Sequence, residues 1–239
     1  MKILLLFLII IILFLILQFY CNNIDIYEFD SNKPGINLLL IGGSHGNEPS
    51  GSVALLQFIN SMKNEKYKLK NGKITVIPKP NKLGYIFNSR YLLHRFINRD
   101  LNRNYPRNVN EKALDPISAK IMHHVNKSDW ILDFHEGWGY ASEQKGSLGS
   151  GIYPSDSKNS IIMAQNILKS INLAINGNKF VYKENVNPNL RTLKSYANYL
   201  EKNYILIEIT GQNNIQPIKI RSEQIIFIIQ FFLRFHDMI

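Results

Sequence analysis

The hydrophobic pattern begins with a run from Ile3 to Cys21 that contains no charge, with Lys2 as the only charge ahead of it. That is about the ~20 residues a helix needs to cross a bilayer. A cleaved leader has a shorter apolar core and small residues before the cut, whereas Gln18, Phe19 and Tyr20 precede Cys21 here. Residues 1–21 are therefore expected to stay attached as a signal-anchor, with secretion after cleavage as the alternative. Lys2 points to a cytoplasmic N-terminus and a single-pass protein whose domain lies on the extracytoplasmic side. Residues 22–34 are polar and run into Pro34 and Gly35, which reads as a linker, and residues 35–239 are long enough for one domain.

Beyond the linker the pattern alternates between two periods. Ile36–Ile41 reads as a strand; Pro49 then suits the first position of a helix in which Leu55, Phe58, Ile59 and Met62 share a face. "KITVIPKP" is a strand stopped by its prolines. Leu114, Ile117, Ile121 and Val125 mark a helix before the strand "WILDF", which ends at His135. Ile161, Ala164, Leu168 and Ile171 mark another, as do Leu190, Leu193, Ala197 and Leu200, and each is followed by a β-rich run. The last run, "YILIEIT", precedes a helix from about Arg221 to Phe235, apolar on most sides and so expected to pack on the sheet. Strands alternating with helices imply an α/β fold: a mostly parallel or mixed twisted sheet between helices.

Composition changes this picture little. The 239 residues are 45% hydrophobic and 19% charged, which is globular rather than disordered. The net charge of +10 comes from lysines scattered among asparagines and isoleucines, with no dense basic tract, so no nucleic-acid partner is expected. The single cysteine excludes an internal disulfide.

Ligands of parallel sheets gather at the carboxyl ends of strands. His45, His135 and Glu208 all sit there, and Glu48 follows His45 by three residues in "GGSHGNEPSG". Two imidazoles and a carboxylate are a ligand set for catalytic zinc. Each piece also has a plainer reading. "HGNE" fits a helix N-terminus capped by Asn47 or Glu48, His135 fits a core histidine, and Glu208 fits a buried ion pair. In "RFINRDLNRNYP", an Asn-Arg pair suits a carboxylate ligand and a further arginine an oxyanion. The Gly/Ser-rich "EQKGSLGSGIYPSDS" reads either as a border of the pocket or as a surface connection.

With "DFHEG" and "LIEITG", these pieces stand in the order found in the zinc carboxypeptidase superfamily. The chain resembles most closely its succinylglutamate desuccinylase and aspartoacylase branch, over roughly residues 36–211. The resemblance implies one zinc-carboxypeptidase-like domain holding one Zn2+ through His45, Glu48 and His135, with Glu208 as general base and acid. Arg95 would polarise the scissile carbonyl, and Asn102 and Arg103 would hold the substrate carboxylate. It further implies hydrolysis of an amide bond next to a free carboxylate, in a small N-acyl amino acid. The Arg95–Arg103 spacing resembles the deacylases, whereas the thirty-one residues after Glu208 leave little for the deacylases' further carboxy-terminal domain. Removal of C-terminal residues from peptides is thus the alternative, ahead of a non-catalytic membrane-tethered binding module. Tyr182, Tyr196 and Tyr199 are candidates for a tyrosine that closes over substrate.

Overall fold

In a computed structural model, residues 2–108, 110–183 and 190–239 are described, with side chains from Leu5 onward. The apolar run forms α1 (Lys2–Asn22), followed by β1 (Tyr27–Asp30), β2 (Asn37–Gly42), α2 (Pro49–Lys63), β3 (Lys73–Ile77) and α3 (Lys82–Ile86). Then come α4 (Pro116–Lys127), β4 (Trp130–Gly137), β5 (Gly151–Pro154) and α5 (Lys158–Ala174). The chain continues through β6 (Val181–Tyr182), α6 (Leu193–Tyr199), β7 (Asn203–Thr210) and α7 (Ile218–Phe235).

The seven strands make one mixed sheet in the order β1-β3-β2-β4-β7-β5-β6. Its centre, β3-β2-β4-β7, is parallel. These strands are buried on both faces, which explains their near-continuous apolar runs. Leu38 and Leu40 point to one core with Phe58 of α2, Ile167 of α5 and Phe232 of α7. Leu39 and Ile41 point to the other, with Ile121 of α4 and Tyr196 of α6. A one-residue slip would exchange these faces, so the register is firmly set.

Helices α4 and α6, unlike α2 and α7, start where a side chain supplies their first hydrogen bonds. Asp115 accepts from the N–H groups of Ile117 (2.7 Å) and Ser118 (3.1 Å), with Pro116 at the first helical position. Thr192 Oγ1 similarly accepts from Ser195 N at 3.1 Å to start α6. In α7 the apolar side is wide because it packs on both α2 and α5 as well as the sheet.

Two segments differ from their sequence reading. The expected linker contains β1, which pairs antiparallel with β3 from Tyr27↔Val76 to Asp30↔Lys73. Its Tyr27 and Phe29 alternate toward the core, a signal too short to stand out in a polar stretch. The Gly/Ser-rich stretch after β4 contains β5, which is antiparallel to β7. Before it, Gly146 and Leu148 border the pocket described below.

Among the described residues, α1 is the one helix long and apolar enough to cross a membrane, and its side chains from Leu5 to Leu17 are exposed. Its end is bound to the domain rather than loosely joined. Cys21 and Ile24 are buried, Lys120 Nζ donates to Asn22 O at 2.8 Å, and Lys82 pairs with Asp25 at 3.0 Å.

The packing of α7 predicts a contrast. Phe232→Ala should cost about 3–5 kcal/mol by emptying a filled core position, whereas Phe235→Ala, at an exposed position, should change stability by less than about 0.5 kcal/mol. Urea unfolding of the full chain in detergent measures both.

Candidate functional site

At the carboxyl edge of the sheet, strand alternation brings the expected residues to one face. Ile131, Asp133 and His135 of β4 share a side, as do Tyr204, Leu206 and Glu208 of β7, and His135 and Glu208 are register partners. This is the side covered by α4 and α6.

His45 and Glu48 arrive from the turn between β2 and α2. Gly43 has φ +64°, a left-handed conformation glycine adopts readily. A Cβ on Gly46 would collide with the backbone of Gly84 in α3, so the turn lies directly on that helix. Glu48 occupies the N-cap position of α2, but its side chain makes no cap bond. It points instead into the site, which answers the plainer reading of "HGNE".

The Glu48 carboxylate lies 2.8 Å from His45 Nδ1 and 2.9 Å from His135 Nδ1, and the two ring nitrogens are 3.2 Å apart. Backbone N–H of Glu136 (3.1 Å), Arg90 Nη1 (3.3 Å) and Gln212 Nε2 (3.3 Å) also donate to it. Burial opposes its charge, but His45 and His135 outweigh burial and hold the carboxyl well below its usual range. Burial likewise opposes charging of the histidines, yet Glu48 and Asp100 raise His45, and Asp133 with Glu48 raises His135.

This donor set fits a metal ion. One ligand atom from each of His45, Glu48 and His135 lies within 4.8 Å of the others, all three residues being buried. Each imidazole turns Nδ1 toward the cluster and Nε2 toward a carboxylate: Asp100 Oδ1 at 3.0 Å for His45, Asp133 Oδ2 at 3.4 Å for His135. Asp100 hydrogen-bonds the His45 ring and fixes its orientation, while Asp133 lies close enough behind His135 to raise its basicity, the kind of support that carboxylates give histidines around bound metals. The nitrogens and oxygens crowded within the cluster are the atoms a divalent cation would satisfy.

Next to the cluster is a cavity of about 220 Å³, lined in part by Arg90, Asn102, Arg103, Lys194 and Glu208. Burial pushes the Glu208 carboxyl up, against the opposing charge of His135. Asn102 Oδ1 accepts from Leu193 N at 2.9 Å, leaving the amide's NH2 end for a ligand, and Arg103 is exposed beside it. Burial also draws the Lys194 amine down to about 8.

The structure thus gathers His45, Glu48, His135, Glu208, Asn102 and Arg103 around the cavity but leaves Arg95 outside. Arg95 donates to Leu114 O at 3.3 Å, while Arg90 reaches Asp100 and Glu48 and lines the cavity. Arginine spacing is uninformative here because residues 87–100 form irregular turns, in which side-chain direction has no fixed period. The tyrosine candidates lie elsewhere too: Tyr196 bonds Asn126, and the cavity tyrosine is Tyr204, whose hydroxyl donates to Asp133 at 2.8 Å.

Sequence reading also missed supporting groups. Asp133 was visible as the residue two before His135 on the same strand face. Glu136 was less so: it accepts from Ser50 N at 2.7 Å and pairs with buried Arg221 at 2.6 Å, tying β4 to α2 and α7. Gln212 carried no signal in the sequence.

Residues 34–224 match the succinylglutamate desuccinylase/aspartoacylase catalytic domain, and every site residue above falls within that span. The chain belongs to this family. Its fold is similar to tripeptide-bound Cell Shape Determinant Csd4 from Helicobacter pylori, with 21% identity and a TM-score of 0.75 over 91% of this chain and 56% of that one. It is also similar to a succinylglutamate desuccinylase from Silicibacter sp. TM1040, at 15% identity and TM-score 0.63 over 90% of this chain and 61% of that one. A product-bound ectoine utilization protein, EutE from Ruegeria pomeroyi, gives 16% identity and TM-score 0.64 over 90% and 61%. This family member therefore spans little more than half the length of such structures. No curated protein matches it.

The raised Glu208 carboxyl predicts a pH-dependent cost in the chelator-treated protein. An acid that holds its proton more tightly when folded opposes folding as pH rises above its ordinary value, here 4.5. Glu208→Gln should thus be more stable than the parent at neutral pH. The difference should vanish well below pH 4.5, where both the folded and unfolded carboxyls are protonated. Urea unfolding across this range measures it.

Proposed function

We propose that the domain is a zinc-dependent hydrolase that cleaves an amide bond next to a free carboxylate. The observation that carries this reading is the buried His45–Glu48–His135 cluster beside a desolvated Glu208, at the base of a cavity whose rim carries Asn102 and Arg103. A binding module would have no need for an unpaired carboxylate of raised basicity facing that cluster.

His45 Nδ1, Glu48 and His135 Nδ1 would hold the metal, which when bound supplies Lewis acidity for attack by water on an amide carbonyl. Glu208 accepts the proton of the attacking water. Its burial raises its basicity, bringing it closer to what a base working near neutrality needs. It then returns the proton to the leaving nitrogen, so the carboxylate ends as it began. Arg90, aimed by Asp100, donates to the oxyanion that develops as the carbonyl is attacked, the role first expected of Arg95. The NH2 of Asn102 and the guanidinium of Arg103 grip the substrate carboxylate and set which bond faces the cluster.

The family favours small N-acyl amino acids, as in its desuccinylase and aspartoacylase members. A peptide carboxyl end is the second reading, favoured by the fold similarity to Csd4, which is described as a D,L-carboxypeptidase bound to mDAP. The exposed apolar length of α1 supports insertion in a membrane, and Lys2, the only charge ahead of the run, is the argument for a domain on the extracytoplasmic side.

Two tests follow. Metal analysis of the purified full chain should find one zinc, lost in His45→Ala and His135→Ala; Glu208→Gln should keep it while turnover falls by about 10²–10⁴. On a panel of N-acetyl and N-succinyl amino acids and short peptides, carboxyl-blocked analogues should fail and Arg103→Ala should lower kcat/KM by more than about tenfold. Arg90→Ala should lower kcat where Arg95→Ala leaves it near the parent's. Equal turnover of free and blocked substrates would remove the role given to Asn102 and Arg103.

A further inference from the structure

We propose that the loop between α3 and Leu101 is a second membrane contact, seated in the lipid headgroup layer beside α1. This rests on reading α1 as a membrane anchor. The loop and the last residue of α3 carry apolar side chains that the domain does not use: Phe96 is 89% exposed, Ile97 72% and Phe87 66%, with Ile86 at the end of α3 59% exposed. Asn88 and Asn98 take left-handed conformations, which asparagine tolerates better than most residues, and turn the chain at either end of this excursion. Large apolar residues clustered on a surface loop mark an interaction site rather than ordinary surface.

The position of the loop identifies the occupant. Gln18 Nε2 donates to His94 O at 2.9 Å, so the loop touches α1 one turn before the helix ends. At ~1.5 Å per residue, that contact lies about 6 Å up the helix from Asn22, level with the apolar side chains of Ile16, Leu17 and Phe19. Phe96 and Ile97 follow His94 by two and three residues, a reach of at most about 7–11 Å. Whatever layer surrounds the last turns of α1 is therefore within reach of these side chains. For an inserted helix that layer is the boundary between headgroups and acyl chains.

Charge agrees with that occupant. Within residues 79–103, Lys82 is buried against Asp25 and Arg90 is held by Glu48 and Asp100, which leaves Lys79, Arg95, Arg99 and Arg103 as the cations of the segment, with Asp100 its single acid. Aromatic and aliphatic side chains interleaved with cations are the composition that favours an anionic lipid interface. Arg99 stands over the ring of exposed Tyr91 at 5.1 Å, and Lys79 over Tyr85 at 5.0 Å, pairing charge with an amphipathic ring as interfacial residues do. Since Asn102 and Arg103 lie at the end of the same segment, the cavity rim would sit close above the headgroups.

Tryptophan placed at exposed positions tests this in the full chain, reconstituted in phosphatidylcholine–phosphatidylglycerol vesicles with or without brominated acyl chains. The emission added by Phe14→Trp and by Phe96→Trp, each over the parent with its two tryptophans, is the readout. Both should be largely lost in brominated vesicles and resist aqueous iodide. If Phe14→Trp is quenched by bromine but Phe96→Trp is quenched only by iodide, the loop is in water and the proposal falls while the anchor stands. Protection of Phe96→Trp from both quenchers would mean protein covers the patch, a second copy included, and would also overturn it. Absence of bromine quenching at Phe14→Trp would instead defeat the anchor reading and this inference with it.

Discussion

Burial of the Glu48 carboxylate is the constraint on which the site's architecture depends. A charge taken out of water at the edge of a sheet is tolerated only when its lone pairs are fully engaged. Here the partners come from β2's exit, β4, the loop after α3 and the segment after β7. Each of these segments must reach its place for the carboxylate to be satisfied, so one residue couples the closing of the sheet edge to the assembly of the cavity. The glycine contact between Gly46 and Gly84 serves the same end, letting backbone rest on backbone where a side chain would hold the turn away.

The same edge buries further polar groups, and they are held to different degrees. Asp133 is buried with Tyr204 donating to it, and Glu136 is clamped between Ser50 N and Arg221. Removing one member of such a buried pair typically costs more than the pair contributes, because a lone charge remains. Glu208 is the contrast. It is buried without a comparable clamp, and burial raises its carboxyl, which is a cost to the folded state wherever the group must carry its charge.

Much of this was legible in the chain because it rests on period and order. The parallel strands announced themselves as apolar runs, and their carboxyl ends located His45, His135 and Glu208 before any contact was known. What escaped detection depended on irregular backbone or short pairing. Arg90 and Arg95 are chemically identical and five residues apart, and only the turns of the loop decide which one faces the cavity. β1 is four residues long and gains its identity from β3 rather than from its own sequence. Gln212 acts through reach after β7, where no pattern points.

The pairing of β1 with β3 begins five residues after α1 ends, and the residues between are themselves fastened through Asn22, Ile24 and Asp25. The domain consequently has no leash. With α1 in a bilayer, the cavity could neither swing outward nor sample a volume of solution; it would ride at one height with one tilt. Substrate capture would then be a search in two dimensions, limited to molecules that enter a thin slab over the lipid, and lengthening the segment between α1 and β1 would trade that geometric selectivity for reach.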